Sequence, residues 1–281
     1  MAKVVDCITY FDEDMLLDFR LNVLNDYVSK FVIVEAKEDH QGNKKSLNFD
    51  FNNFPKFKDK IIYLVQEKLI EDSNIKLTKN WSKHHLKDQS QRNYILNGIK
   101  KFEENDWIII SDLDEIPNPK VIRNFNPKFK YSVFEQKFFY YKFNILNSSQ
   151  PNWYGSRICV KKYLKSPQWL RSLKFKKRPF WRIDKLRLNN IIEEGGWHFC
   201  NLKTPEQLLY KYNNLCETND PYIFKEKINK KYLQIEEIEK RVKEGKDIIG
   251  REETYKAKKL DKLFPKYILN NLELYKEWIA N

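Results

Sequence analysis

The residues best suited to chemistry lie in the run Trp107-Ile108-Ile109-Ile110-Ser111-Asp112-Leu113-Asp114-Glu115-Ile116-Pro117. An apolar strand there ends in two aspartates at i and i+2, which in an extended chain project to one side. Paired carboxylates at the end of a buried strand repel one another and call for a cation. Hard oxygen donors of this kind suit Mg2+ or Mn2+ carrying a diphosphate. In open α/β sheets, ligands bind at that end of the strands. Pro117 is expected to stop the strand. An EF-hand is excluded, because the loop glycine and the distal glutamate are absent.

A second cluster is Glu193-Glu194-Gly195-Gly196-Trp197-His198-Phe199. Of the 4 histidines (His40, His84, His85 and His198), only His198 stands beside paired glycines, which let backbone or ligand approach closely. A neutral imidazole there suits a third place on a metal held by Asp112 and Asp114. The alternative is a hydrogen-bonded histidine in a turn. Glu193 and Glu194 are candidates for a general base or are simply solvated.

The elements that must position these residues alternate in the first half. Val4–Tyr10 reads as a strand, and Asp12 can cap a helix to about Val28, with Leu16, Phe19, Val23 and Tyr27 on one face. Further strands are predicted at Lys30–Glu35, Ile61–Val65 and Trp107–Ser111, with a helix over Leu86–Phe102. Near-continuous apolar strands alternating with helices argue for a parallel α/β sheet covered on both faces. In the second half Tyr131–Phe143 is strand-like and Trp153–Tyr163 can pair with it, before a basic, loop-like stretch from Lys161 to Arg187. Helices are predicted over Thr204–Cys216, Tyr232–Glu244 and Pro265–Ile279. No glycine- or serine-rich linker interrupts the chain, so one continuous domain with a helical C-terminal appendix is expected.

With 281 residues, 41% hydrophobic and 15% aromatic, the chain can bury a sizeable core, and a disordered chain is excluded. No apolar run approaches the roughly 20 residues of a membrane span. The opening residues lack the apolar region of a signal peptide, and the 4 scattered cysteines form no C-x-x-C pair. These features point to a cytoplasmic protein with neither a disulfide scaffold nor a zinc ribbon. The charge of +13 favours anionic partners, whether nucleotide phosphates, nucleic acid or an acidic membrane surface, or else reflects a lysine-coated surface.

Several separated motifs together resemble glycosyltransferase family 17. They are the opening Asp12-Glu13-Asp14-Met15-Leu16-Leu17-Asp18-Phe19-Arg20-Leu21; Phe31-Val32-Ile33-Val34-Glu35 with Gly42, Leu47 and Phe49; Gln91-Arg92-Asn93; and Ser111-Asp112-Leu113-Asp114-Glu115-Ile116-Pro117. Gly196-Trp197-His198, Thr204-Pro205-Glu206 and Pro265-Lys266-Tyr267-Ile268-Leu269-Asn270 complete the set. The resemblance spans essentially the whole chain, in order. It implies a GT-A-like (Rossmann-like) mixed, mostly parallel sheet flanked by helices. It also implies an inverting, metal-dependent transferase of β-1,4-N-acetylglucosaminyltransferase type, using a UDP-sugar and Mn2+ or Mg2+. Asp114 would ligate the metal and Asp112 would reach the ribose or a metal-bound water, with His198 as a further ligand. Tyr10 and Glu35 would border the nucleoside pocket by position, and Glu13, Arg20 and Arg92 match family positions. Residues 1–118 would form the nucleotide-sugar-binding half, 119–203 the acceptor half, and 204–281 the C-terminal helices.

An acceptor hydroxyl would attack the anomeric carbon from the face opposite the leaving group, activated by Glu194 first, then Glu135 or Glu193. Trp153, Tyr154 and Trp181 would stack on acceptor sugars or pack in the core. The sequons at Asn80-Trp81-Ser82 and Asn147-Ser148-Ser149 carry no weight in a protein that is not secreted. The expected acceptor is therefore a surface glycan or glycolipid rather than a complex N-glycan, with peripheral membrane contact left open. Two other readings compete. A haloacid-dehalogenase-like phosphatase also carries D-x-D, but on its first strand. A basic nucleic-acid-binding module gives no reason for the paired aspartates.

Overall fold

The structure, a computed structural model, describes residues 2–40, 42–69, 83–174, 190–214 and 232–280. Trp181, Cys216 and the sequon at residues 80–82 lie outside the described residues. In chain order the main elements begin β1 (Val4–Thr9), α1 (Asp14–Leu24), β2 (Lys30–Ala36), β3 (Ile61–Gln66), α2 (Lys83–Ile99), β4 (Trp107–Ser111), β5 (Glu115–Pro117) and α3 (Pro119–Ile122). They continue with β6 (Tyr131–Tyr140), β7 (Ile145–Asn147), β8 (Asn152–Trp153), β9 (Arg157–Val160), α4 (Pro167–Ser172), β10 (Ile191–Cys200), α5 (Pro205–Asn214), α6 (Ile235–Lys243), β11 (Tyr255–Ala257) and α7 (Lys266–Asn270).

The first half forms the parallel block β3-β2-β1-β4 that its apolar runs predict. Strand alternation sends Phe31 and Ile33 to one face, beside Leu17 and Phe19 of α1. Val32 and Val34 face the other way, onto Ile95 and Ile99 of α2. All of these side chains are buried, and each contributes about 1.5–3 kcal/mol of transfer free energy. Helix α1 is shorter than its pattern suggests. It is entered from Glu13 with no side-chain cap, because Asp12 is taken by Lys203 (2.7 Å). It ends at Leu24, leaving Tyr27 exposed.

Beyond β4 the sheet becomes mixed. Strand β9 inserts antiparallel between β4 and β6, β10 runs parallel to β6, and β5 pairs antiparallel with β10. The pairing predicted for Trp153–Tyr163 is present as β8 and β9, both on β6. The β6–β10 register shifts between Ile192 and Gly196. At that bulge Glu194 has φ +49° and Gly196 φ +133°. A Cβ on Gly196 would lie 2.1 Å from the Ile116 carbonyl oxygen, so β5 can approach only a glycine.

Helix α5 starts with a reciprocal capping box. Gln207 N donates to Thr204 Oγ1 (3.4 Å), and Thr204 N donates to Gln207 Oε1 (3.0 Å). Two predicted elements are corrected. The stretch after Lys161 is not all loop, since it contains α4, capped by Ser166 Oγ on Trp169 N (3.1 Å) with Pro167 in the first turn. The helix predicted over Pro265–Ile279 breaks at Asn271 (φ −133°) into α7 and a 3-10 stretch, Leu272–Trp278. Among the described residues, no helix is long and apolar enough to cross a membrane.

Candidate functional site

Strand β4 delivers its aspartates into a turn, not into extended chain. Glu115 N donates to the Asp112 carbonyl (3.1 Å), and the chain resumes as β5 through Pro117. The same-side alternation expected of Asp112 and Asp114 is therefore replaced by a turn that sends them to different partners. That turn is fixed from beneath by the fully buried Arg20 of α1. Its guanidinium pairs with Asp6 (2.6 and 2.8 Å) and donates through Nη1 to the carbonyls of Asp112 (3.3 Å), Leu113 (3.1 Å) and Glu115 (2.7 Å).

Asp112 is clasped by two arginines, Arg92 Nη2 on Oδ1 (3.1 Å) and Arg171 Nη2 on Oδ2 (2.7 Å). Burial alone would raise its pKa, but Arg171 and Arg92 hold the carboxyl well below the usual range. Arg171 also spans both oxygens of the buried Glu115 (2.7 and 3.0 Å), which accepts from Trp153 Nε1 (2.7 Å) as well. A Cβ on Gly155 would fall 1.8 Å from Glu115 Oε1, so this cluster is built against bare backbone.

Asp114 faces His198 instead, with Oδ2 3.3 Å from Nε2. The imidazole stacks on Phe138 (centroids 4.6 Å apart, planes at 9°) and packs against Trp153 (4.8 Å, 37°); these two rings also touch each other (5.3 Å), so the three form one cluster that sets the imidazole's orientation. Burial disfavours the charged ring, but the Asp114 carboxylate outweighs this and pushes the pKa from 6.5 up to about 10. Asp114 is correspondingly lowered by His198, against a burial effect of opposite sign. His198 Nδ1 is buried without a hydrogen-bond partner. Cys200 stands two residues along β10, on the same face of the strand as His198. Phe199 N binds the Asp114 carbonyl (2.9 Å), which locks the aspartate turn to this strand.

Among the described residues, the ligand atoms of Asp114, His198 and Cys200 converge to within 4.8 Å of one another. One carboxylate oxygen, one imidazole nitrogen and one thiol sulfur are a donor set that fits a divalent cation. Asp112 is not in this group; its oxygens are instead held by Arg92 and Arg171.

Both aspartates line a cavity of about 440 Å³ at the carboxyl ends of β1, β2 and β4, within the size range of small-molecule sites. Its walls carry Asp12, Glu13, Glu38, Asp39, Asp88, Asp112, Asp114 and Glu115, against Lys45, Arg92, Lys203 and Lys211. Eight carboxylates thus face four lysine and arginine side chains and the His198 ring, an acid excess although the whole chain has a charge of +13.

Tyr10 and Arg92 line this cavity, and the Tyr10 hydroxyl bonds Asp14. Glu35 is not in the lining. It is buried and accepts from Lys45 Nζ (2.5 Å), Asn48 N (2.8 Å), Phe49 N (3.1 Å) and Tyr63 OH (2.8 Å). It therefore organises the 45–49 loop and presents Lys45 to the cavity. Glu135, Glu193 and Glu194 also stand outside the lining. Glu135 accepts from Tyr154 OH (2.5 Å), while Glu193 and Glu194 are exposed at the β10 bulge. Trp153 does line the cavity, with its ring committed to His198 and Phe138.

Sequence reasoning missed Arg171, Lys203, Lys211 and the buried Glu115. The Ser166-Pro167 helix start was the available signal for α4 and hence for Arg171. Lys203 bridges Asp12 (2.7 Å) and Glu13 (3.8 Å), joining the β10–α5 connection to the entry of α1. Lys211 is held on Asn201 Oδ1 (2.7 Å). Burial lowers its pKa, but Cys200, Tyr212, Asp114 and Glu13 together raise it.

No curated protein matches the chain. The family model for glycosyltransferase family 17 matches residues 1–266, almost the full length and both halves of the site. A D-x-D turn at the end of a central parallel strand, a histidine on β10 that meets it, and this match converge: the chain belongs to glycosyltransferase family 17.

Proposed function

We propose that this glycosyltransferase moves a sugar, N-acetylglucosamine first among candidates, from a UDP-sugar to a glycan or glycolipid hydroxyl with inversion. We further propose that it uses a GT-A-like site dependent on Mn2+ or Mg2+. The parallel β3-β2-β1-β4 block followed by the antiparallel β9 supports the GT-A-like reading. The observation that carries the metal dependence is the acid excess of the cavity. A dianionic diphosphate entering among eight carboxylates needs added positive charge, and the Asp114–His198 pair is where the donors for it converge. A cation held there would offset the charge developing on the leaving phosphate, a contribution of several kcal/mol.

The chain's own residues do the rest. Arg92 and Arg171 hold Asp112 ionised and oriented, so that it accepts from a ribose hydroxyl or from water. Tyr10 and Gln91, at the ends of β1 and on α2, border the nucleoside. Lys203 and Lys211 are placed to donate to phosphate oxygens. Deprotonation of the acceptor requires a carboxylate about 2.6–3.2 Å from its hydroxyl. None of the sequence candidates for this base lines the cavity, whereas Glu13, which the sequence did not single out as a base, does, and burial raises its pKa. It therefore takes precedence over Glu194, Glu135 and Glu193.

Incubation with a panel of UDP-sugars and oligosaccharide or glycolipid acceptors, with product mass as the readout, tests this reading. Transfer from a UDP-sugar that Asp114→Asn lowers at least about 100-fold supports it. Transfer that is unaffected by Asp114→Asn and by EDTA overturns the metal assignment.

A further inference from the structure

Resting on the reading that Asp114 and His198 hold a divalent cation, we propose that Cys200 contributes its sulfur to the same ion. The site is then a mixed oxygen, nitrogen and sulfur centre that selects borderline metals over Mg2+. Three independent features lead there. First, the period of β10 puts His198 and Cys200 on one face, and the Phe199 N–Asp114 carbonyl bond brings the carboxylate to that face. Second, the three ligand atoms gather within 4.8 Å, and this trio, not one including Asp112, is the group that converges. Third, the His198 ring is stacked on Phe138 and packed against Trp153, and its buried Nδ1 has no hydrogen-bond partner.

Cys200 is unlike Cys7 and Cys159. Those two are sealed among Val5, Val32 and Ile108 in the core beneath the sheet, whereas Cys200 is half-buried. A coordinating thiol gives up its proton, and thiolate is a soft donor that Mg2+ takes poorly and Zn2+, Co2+ and Fe2+ take well. Arg92 and Arg171 neutralise Asp112, so the pair of hard carboxylates that would favour Mg2+ is reduced to one. The site therefore follows the rising affinity from Mn2+ through Co2+ to Zn2+, sharpened by the sulfur.

Titration of the full chain with Co2+ alone, followed by absorption, gives the test. A near-ultraviolet thiolate-to-cobalt charge-transfer band that Cys200→Ser abolishes, while visible cobalt bands sensitive to Asp114→Asn persist, is the expected result. In parallel, Cys200→Ser is expected to weaken Zn2+ binding at least about tenfold and to leave Mg2+ binding unchanged. Cobalt bound in an Asp114-dependent way without a charge-transfer band overturns the role of Cys200 and leaves the metal site standing. No cobalt bound at all overturns both.

Discussion

At the residue scale, the site works by giving each carboxylate a different answer to its charge. Asp112 is answered by two guanidinium groups and Asp114 by an imidazolium. This predicts a pH signature in metal-free protein. The folded-state pKa of His198, about 10, lies above its unfolded value of 6.5. Its contribution to stability is thus fully present below pH 6.5 and is lost as the pH rises to about 10. Asp112 and Asp114 are depressed, so their contribution holds above the ordinary carboxylate range and is lost as pH falls below it. Urea unfolding in EDTA between pH 6 and 10 should show wild type losing stability relative to His198→Gln, and parallel curves would sink the assignment. Asp112, Asp114 and His198 were legible because carboxylates on a β-branched strand and a histidine beside paired glycines stand out chemically. Arg171 was hidden because it is one cation in a lysine-rich tract, on a helix of only six residues.

At the element scale, Arg20 makes α1 part of the site, since three of the turn's carbonyls depend on its guanidinium. Arg20→Met leaves Asp6 charged and unpaired in the core, which costs about 3–5 kcal/mol. Adding Asp6→Asn should recover part of that loss in urea unfolding, whereas additive losses would mean the pair is not the main effect. The cap of α5 belongs to the same scale. Thr204→Ala removes the capping oxygen and should cost about 1 kcal/mol by the same measurement. The parallel strands were readable because both faces are buried and the runs are apolar throughout. The pairing of β10 with both β6 and β5 was not, because it depends on a bulge and on a close approach that only Gly196 permits. The C-terminal helical pattern was read as continuous because apolar spacing survives across Asn271, where the backbone leaves the helical region.

At the scale of the whole molecule, the positive surplus and the acidic cavity are separate features. Net charge was readable from composition, but it pointed towards anions in general. The fold shows instead that eight carboxylates concentrate where three parallel strands end. The proposed function requires such a cavity to exclude a free diphosphate and to accept one accompanied by a cation, which is its central claim. Thermal unfolding with UDP at about 100 times its Kd measures it most directly, because ligand stabilisation there is about 2.7 kcal/mol. At about 2–4 °C per kcal/mol for a chain of this size, that is a rise of roughly 5–10 °C. The rise should appear with UDP and Mn2+ together and vanish when EDTA replaces the metal. An equal rise with UDP in EDTA would contradict it.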